Sequence, residues 1–310
     1  YASAVNFEPE APAAPVSEPV DARAELTRAI GRYYTQGMAE DVSALKRGVL
    51  DDSEFMQQVT LIHHETMDML DYALDRFVEH GKRGVLFFYF SEIDLACHMM
   101  WRHGDEEHPG HDGDLAQRSA TAWTGRVDST LADTVEDMYL RLDPALGRVR
   151  AALGDDVAIV VMSDHGFAPY HREFSLNTWL VHSGYLVLKE GLTKELPEGD
   201  PEHRKVVIYK KDVDWSKTRA YGVGFNGLYL NLAGREQDNP ETAPEDESGI
   251  VQPAEAEALL RQIKSELEAF VDPKTGRHPV LRCDLARDVY SGERMAEAPD
   301  LLRDCTMSGE

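Results

Sequence analysis

Cysteine is scarce in this chain: Cys97, Cys283 and Cys305 are the only three in 310 residues. The number is odd and the spacing is not that of a metal cage, so nothing argues for a soft-ligand structural zinc. Such usage fits a reducing compartment, and a cytoplasmic location is the expectation. Long apolar runs are missing too. None approaches the ~20 residues of a spanning helix, and no basic segment followed by an apolar core marks a signal peptide. The first residue is Tyr1 rather than Met, which reads as a fragment or a processed product. Positive charge is in short supply, with 32 Lys and Arg against 56 Asp and Glu, a net charge of -24. That balance argues against nucleic acid and anionic membranes as default partners. It leaves a small phosphorylated substrate open, because bound divalent metals reverse a local field.

What is present is globular. The chain is 42% hydrophobic and 28% charged, long enough for one large α/β domain or two smaller ones. Residues 1–20, rich in Ala, Pro and Glu, read as an extended arm, and residues 21–310 as the folded part. Apolar periodicity predicts helices from Asp21, over Asp51 to His80, over Arg126 to Arg150 with a kink or break at Asp143-Pro144, near Leu176 to His182, and over Ala254 to Phe270. His63 and His64 are adjacent in the second of these and point in different directions, which suits solvent or partial core better than ligation. Residues 185–250 read as a peripheral region of strand and loop. Gly222, Gly224 and Gly227 within it form a formal G-x-G-x-x-G, but a strand-like LYLNL follows where a helix should open, so a turn before a strand is the better reading. A further strand is expected to start near Asp300.

Two stretches stand out. Val85 to Phe90 is a buried-strand type of sequence that runs into Ser91-Glu92-Ile93-Asp94 and then His98. A helix starting near Ser91 or Asp94 would place Asp94 and His98 on one face at i, i+4. Ala158 to Met162 is a second such run and ends in Ser163-Asp164-His165-Gly166. Alone, an Asp-His pair after a strand is most simply a polar turn. Strand, helix and strand over residues 85–162 make a βαβ unit, however. Its parallel strands bring both Asp/His pairs to the carboxyl edge of one sheet, where open α/β sheets bind ligands. The loop bearing His103, His108 and His111 reads as the mouth of that site. Asp and His donors suit Zn, Mn, Fe or Ni, and four of them in two pairs suggest two ions. Two metals ~3.5–4 Å apart activate a nucleophile and stabilise the leaving oxygen of a displacement at phosphorus. A structural salt bridge is the bland alternative for either pair. Arg102, four residues beyond His98, is a candidate bidentate donor to substrate phosphate, with a surface salt bridge equally open. Ser163 has no G-x-S-x-G elbow around it and reads as a strand-end residue.

The segments FFYFSEIDLACHMMWRH, VVMSDHGF, LNTWLVHSGYLVL and DWSKTRAYGVGFNGLYLNLAGRE together resemble the alkaline phosphatase superfamily. The nearest branch is the type I phosphodiesterase/nucleotide pyrophosphatase group, with its predicted phosphohydrolases and phosphomutases. The resemblance implies an α/β fold with a mostly parallel central sheet flanked by helices on both faces, here incomplete at both ends. It implies a metal-dependent phosphohydrolase or phosphodiesterase, or a phosphomutase, with Asp94 and His98 on one divalent ion and Asp164 and His165 on the other, Zn or Mn being the natural choices. It also implies a Thr or Ser nucleophile, a further Asp ligand early in the domain and a further His ligand late. No stretch before residue 85 supplies the first two, and no G-D-H type segment follows Asp300. The chain therefore reads as an internal portion of a longer enzyme, inactive by itself, with its nucleophile upstream. The alternative is a catalytically silent metal-binding or structural relative of the same fold.

Overall fold

A computed structural model describes residues 1–3, 6–81, 83–192, 210–224, 226–236 and 249–305, which form two compact units, residues 1–171 and 172–310. Parts of the polar stretch before Lys211 and of the acidic loop at 236–249 lie outside the described residues. Among the described residues no helix is long and apolar enough to cross a membrane.

The first unit is helical: α1 Ala22–Ile30, α2 Val42–Lys46, α3 Asp52–Glu79, α4 Glu92–Gly104, the short α5 Gly113–Ala116 and α6 Thr121–Thr124, and α7 Thr134–Leu153. Helix α3 is its spine, about 42 Å long at 1.5 Å per residue. A capping box starts it: the Glu54 N–H donates to the Asp51 side chain, and the Asp51 N–H donates to the Glu54 carboxylate. Phe55, Met56 and Val59 on α3 pack with Ala96 and Met100 of α4, Trp123 of α6 and Met138 of α7. Further along, Met67, Leu70 and Leu74 meet Ala145 and Leu153 of α7 in a second cluster. Helix α7 runs unbroken through Pro144, so of the expected kink or break the break does not occur. Pro144 and Leu140, whose carbonyl loses its i+4 donor, are both exposed, so the missing bond falls on the solvent side.

Among the described residues the predicted parallel sheet of this unit does not form. Residues 85–90 and 157–162 form no strand, and no backbone–backbone hydrogen bond reaches them from any described residue. Leu86, Phe88 and Phe90 do alternate with exposed Val85, Phe87 and Tyr89, the period of extended chain, and the half-buried three pack on the Met67–Leu74 cluster beside Val157. The outer face stays open: Val85 is 93% and Val161 80% exposed. A strand is a pairwise object, and a run composed for a sheet buried on both faces becomes one only when neighbours complete its ladder.

In the second unit β1 Ala220–Val223, β2 Gly227–Leu230, β3 Val280–Leu285 and β4 Leu301–Cys305 form an antiparallel sheet in the order β1-β2-β4-β3. Helices α8 Leu176–His182 and α9 Pro253–Ala269 bury Trp179, Leu180, Leu259, Ile263 and Leu267 with Leu228, Leu230 and Leu301 of the sheet, while α10 Ala286–Val289 follows β3 directly. The glycine-rich stretch is the β1–β2 hairpin, not a dinucleotide loop. Gly224 takes φ +70°, and a Cβ on Gly222 would meet Leu176 at 2.9 Å, while the Gly222 N–H donates to Asn177 Oδ1 at 2.7 Å. The strand expected at Tyr185 to Leu188 is reduced to a single bridge, Leu188 to Val213.

Candidate metal centre

Both Asp/His pairs lie in the first unit, and the structure brings them together. Asp94 is in the first turn of α4, where a carboxylate suits the positive end of the helix dipole, and His98 follows one turn later. Asp164 and His165 sit on the irregular segment that leaves residues 157–162. Asp94 Oδ1 lies 3.5 Å from His98 Nε2 and 3.6 Å from His165 Nε2, and His165 Nε2 lies 3.6 Å from Asp164 Oδ2. Ligands on a tetrahedral ion with bonds of 2.0–2.1 Å stand about 3.3 Å apart, so each pair is spaced within a few tenths of an ångström of shared ligation. Asp94 is the most enclosed of the four, its side chain 20% exposed, and Asp164 the most open at 81%.

The His165 ring has one nitrogen engaged and the other turned to the carboxylates. Its Nδ1 is 3.0 Å from the Gly166 carbonyl, which only accepts, so Nδ1 carries the proton. In the neutral ring the lone pair then belongs to Nε2, the atom that faces Asp94 and Asp164. Tyr89, at the end of the extended 85–90 run, feels the same site. Burial raises its phenol, and the carboxylates of Asp94, Asp164, Glu40 and Glu92 raise it further. Cys97, between Asp94 and His98 in sequence, is buried; burial and the Asp94 charge push its thiol up to about 11, so it supplies no thiolate at neutral pH.

The donor types and pair spacings fit a divalent ion. The full set is not drawn into one shell: among the described residues no three His, Cys, Asp or Glu side chains converge closely enough to hold a metal. The four are chained through Asp94 Oδ1 and His165 Nε2 instead.

Arg102 points elsewhere in this structure. Its Nη2 donates to Asp52 Oδ1 at 2.5 Å, and His103, buried beside it, lies 3.7 Å from the other Asp52 oxygen. Burial works to raise the Asp52 carboxyl, but His103 and Arg102 outweigh it and hold the group below its usual range. His103 is on α4 and not in the loop; of the two loop histidines, His111 Nδ1 is 2.8 Å from the Arg102 carbonyl, and His108 Nδ1 accepts from the Gly110 N–H.

One ring contact and two His–carboxylate contacts of this unit were not foreseen, although His63 itself is buried in keeping with the partial-core reading. Phe167, two residues after His165, has its ring 4.9 Å from that of His98 and 5.4 Å from that of His165. Asp105, just past α4, pairs with His171. His63 of α3 and Glu92 at the first position of α4 form a buried pair, Nδ1 to Oε1 at 2.8 Å. Phe167 was open to inspection as the last letter of VVMSDHGF. The two His–carboxylate contacts join residues 66 and 29 positions apart and left no mark in the sequence.

Comparison with curated proteins and with solved structures finds no match. The family model described as type I phosphodiesterase / nucleotide pyrophosphatase matches residues 12–263, a span that holds both Asp/His pairs. The chain belongs to the type I phosphodiesterase/nucleotide pyrophosphatase family, within the alkaline phosphatase superfamily.

Proposed function

We propose that this phosphoryl-transfer hydrolase uses divalent metal at the paired donors to cleave a phosphate mono- or diester. Asp94 and His98 belong to one ion and Asp164 and His165 to a second, with Zn or Mn as the metals and a small phosphorylated molecule as substrate. The family supports phosphodiesterase or pyrophosphatase chemistry at the coarser level. The observation that carries the finer reading is Asp94 Oδ1 standing at ligand spacing from an imidazole of each pair. Bound metal would supply Lewis acidity at the phosphoryl oxygen and an activated nucleophile. This chain's part is to hold the imidazole tautomers and carboxylates that fix it. No residue here is assigned as nucleophile, and transfer to a second substrate hydroxyl in place of water gives the phosphomutase variant of the same chemistry. Arg102 reaches a substrate phosphate only by giving up Asp52, which makes it a secondary donor. The domain from residue 21 onward is read as part of an alkaline-phosphatase-like α/β domain.

A silent relative is the second reading, favoured by the donors closing in pairs and not as a group. Metal content after dialysis against Mn or Zn, with turnover of p-nitrophenyl phosphate and bis-p-nitrophenyl phosphate, separates the two. The first reading expects bound metal that Asp164→Ala with His165→Ala removes. Metal content unaffected by that double substitution sinks the assignment, and metal binding without turnover by the longest natural form of the protein supports the silent relative.

A further inference from the structure

We propose that His103 is a positioning residue: it takes over the Asp52 carboxylate when Arg102 turns to a substrate phosphate, so that Arg102 leaves without stranding a buried charge. The inference rests on the reading of Arg102 as a phosphate donor.

One buried carboxylate faces two donors unequally. Asp52 opens α3, and its side chain is 8% exposed. Arg102 Nη2 donates to Asp52 Oδ1 at 2.5 Å. His103 Nε2 lies 3.7 Å from Asp52 Oδ2, beyond hydrogen-bond range. The His103 side chain is 1% exposed, and neither ring nitrogen has a hydrogen-bond partner among the described residues. A buried imidazole left in that state is costly and calls for a reason. Closing on Oδ2 to about 2.8 Å, the length of a charge-assisted bond, asks His103 to move about 1 Å.

Arg102 has cause to move. Asp94, His98 and Arg102 follow one another at i, i+4, i+8 on α4, so Arg102 stands about 6 Å past His98 along the same face. Its Nε is buried with no hydrogen-bond partner among the described residues, whereas a phosphate offers a guanidinium two acceptors at once. The obstacle is Asp52. Breaking a buried ion pair is expensive chiefly because the charge left behind has no partner. His103 offers that charge a donor. It follows Arg102 directly in sequence, so the exchange takes side-chain motion only and leaves α4 in place.

The test uses the whole chain and two readouts. One is the urea midpoint across a mutant cycle. Arg102→Ala and His103→Phe are each expected to lower it modestly. The double variant, which leaves Asp52 without either donor, should fall by clearly more than the two shifts added, and an Asp52→Asn background should abolish the excess. The other readout is protection of Arg102 from phenylglyoxal by inorganic phosphate, mapped by mass spectrometry. His103→Phe is expected to raise the half-protecting phosphate concentration about tenfold. His103→Gln, which keeps a donor, should stay near wild type, and Asp52→Asn, which loosens the hold on Arg102, should lower that concentration. An additive cycle overturns His103 as the second donor to Asp52. A non-additive cycle with equal protection in wild type and His103→Phe overturns its role in freeing Arg102. Phosphate that fails to protect Arg102 in wild type removes the phosphate-donor reading instead, and the unfolding cycle alone then decides whether His103 takes over Asp52.

Discussion

Both carboxylate oxygens of Glu40 are buried without a hydrogen-bond partner among the described residues. Burial, with the Glu92 charge adding to it, pushes this carboxyl from 4.5 up to about 7. In the unfolded chain the group loses its proton near 4.5, so between that pH and about 7 the folded state holds a proton that the unfolded state lacks. Stability from this group is complete below 4.5 and falls as pH rises through 7, by on the order of 3 kcal/mol. Urea unfolding of wild type and Glu40→Gln from pH 4 to 8 measures the difference. The two curves should separate across that window, with the variant the more stable at pH 8; parallel curves would remove Glu40 as the source. Nothing in the sequence around Glu40 marks it, because its burial comes from the packing of the unit around it and its electrostatic neighbour is 52 positions away. The ligand candidates are the contrary case: Asp94 and His98 were legible because a helix converts i, i+4 into adjacency by local geometry alone.

At the scale of elements, α3 ties the first unit together, since its two ends feed two separate apolar clusters. Its amino-terminal capping box satisfies donors that no later turn can reach. Asp51→Ala is expected to cost about 1 kcal/mol, or about 2–4 °C in midpoint for a unit of this size, read by differential scanning calorimetry. An unchanged midpoint would mean that the helix end frays freely in the native state. Periodicity found α3, α7 and α9 because each presents one apolar face over many turns, and the pattern averages out local noise. It missed α2, which has only five residues, and β3, where exposed Leu281 and Arg282 interrupt the alternation. The runs at 85–90 and 158–162 fail differently. Their composition is that of central strands, yet no ladder partner is present among the described residues. Sequence specifies what a strand buries; the partner that completes its hydrogen bonds is a matter of topology.

Those two runs set the behaviour of the molecule as a whole. Val85, Phe87, Val160, Val161 and Met162 are all largely exposed, on segments that make no backbone–backbone hydrogen bond among the described residues, a combination that templates association with other chains. Opposing it is the net charge of -24, which keeps copies apart by repulsion that reaches about 10 Å at 0.1 M salt and about 3 Å at 1 M. Apolar contact is short-ranged and survives screening. Salt should therefore tip the balance: light scattering is expected to show little association at low NaCl and growing particle mass toward 1 M. Asp introduced at Phe87 and Val161 places charge within the apolar face itself, where neighbouring copies would have to desolvate it, and should hold the protein dispersed at every salt concentration. Equal association of wild type and double variant at 1 M would show that the contact lies elsewhere on the surface. A wild-type chain dispersed throughout would mean that these segments are covered in solution.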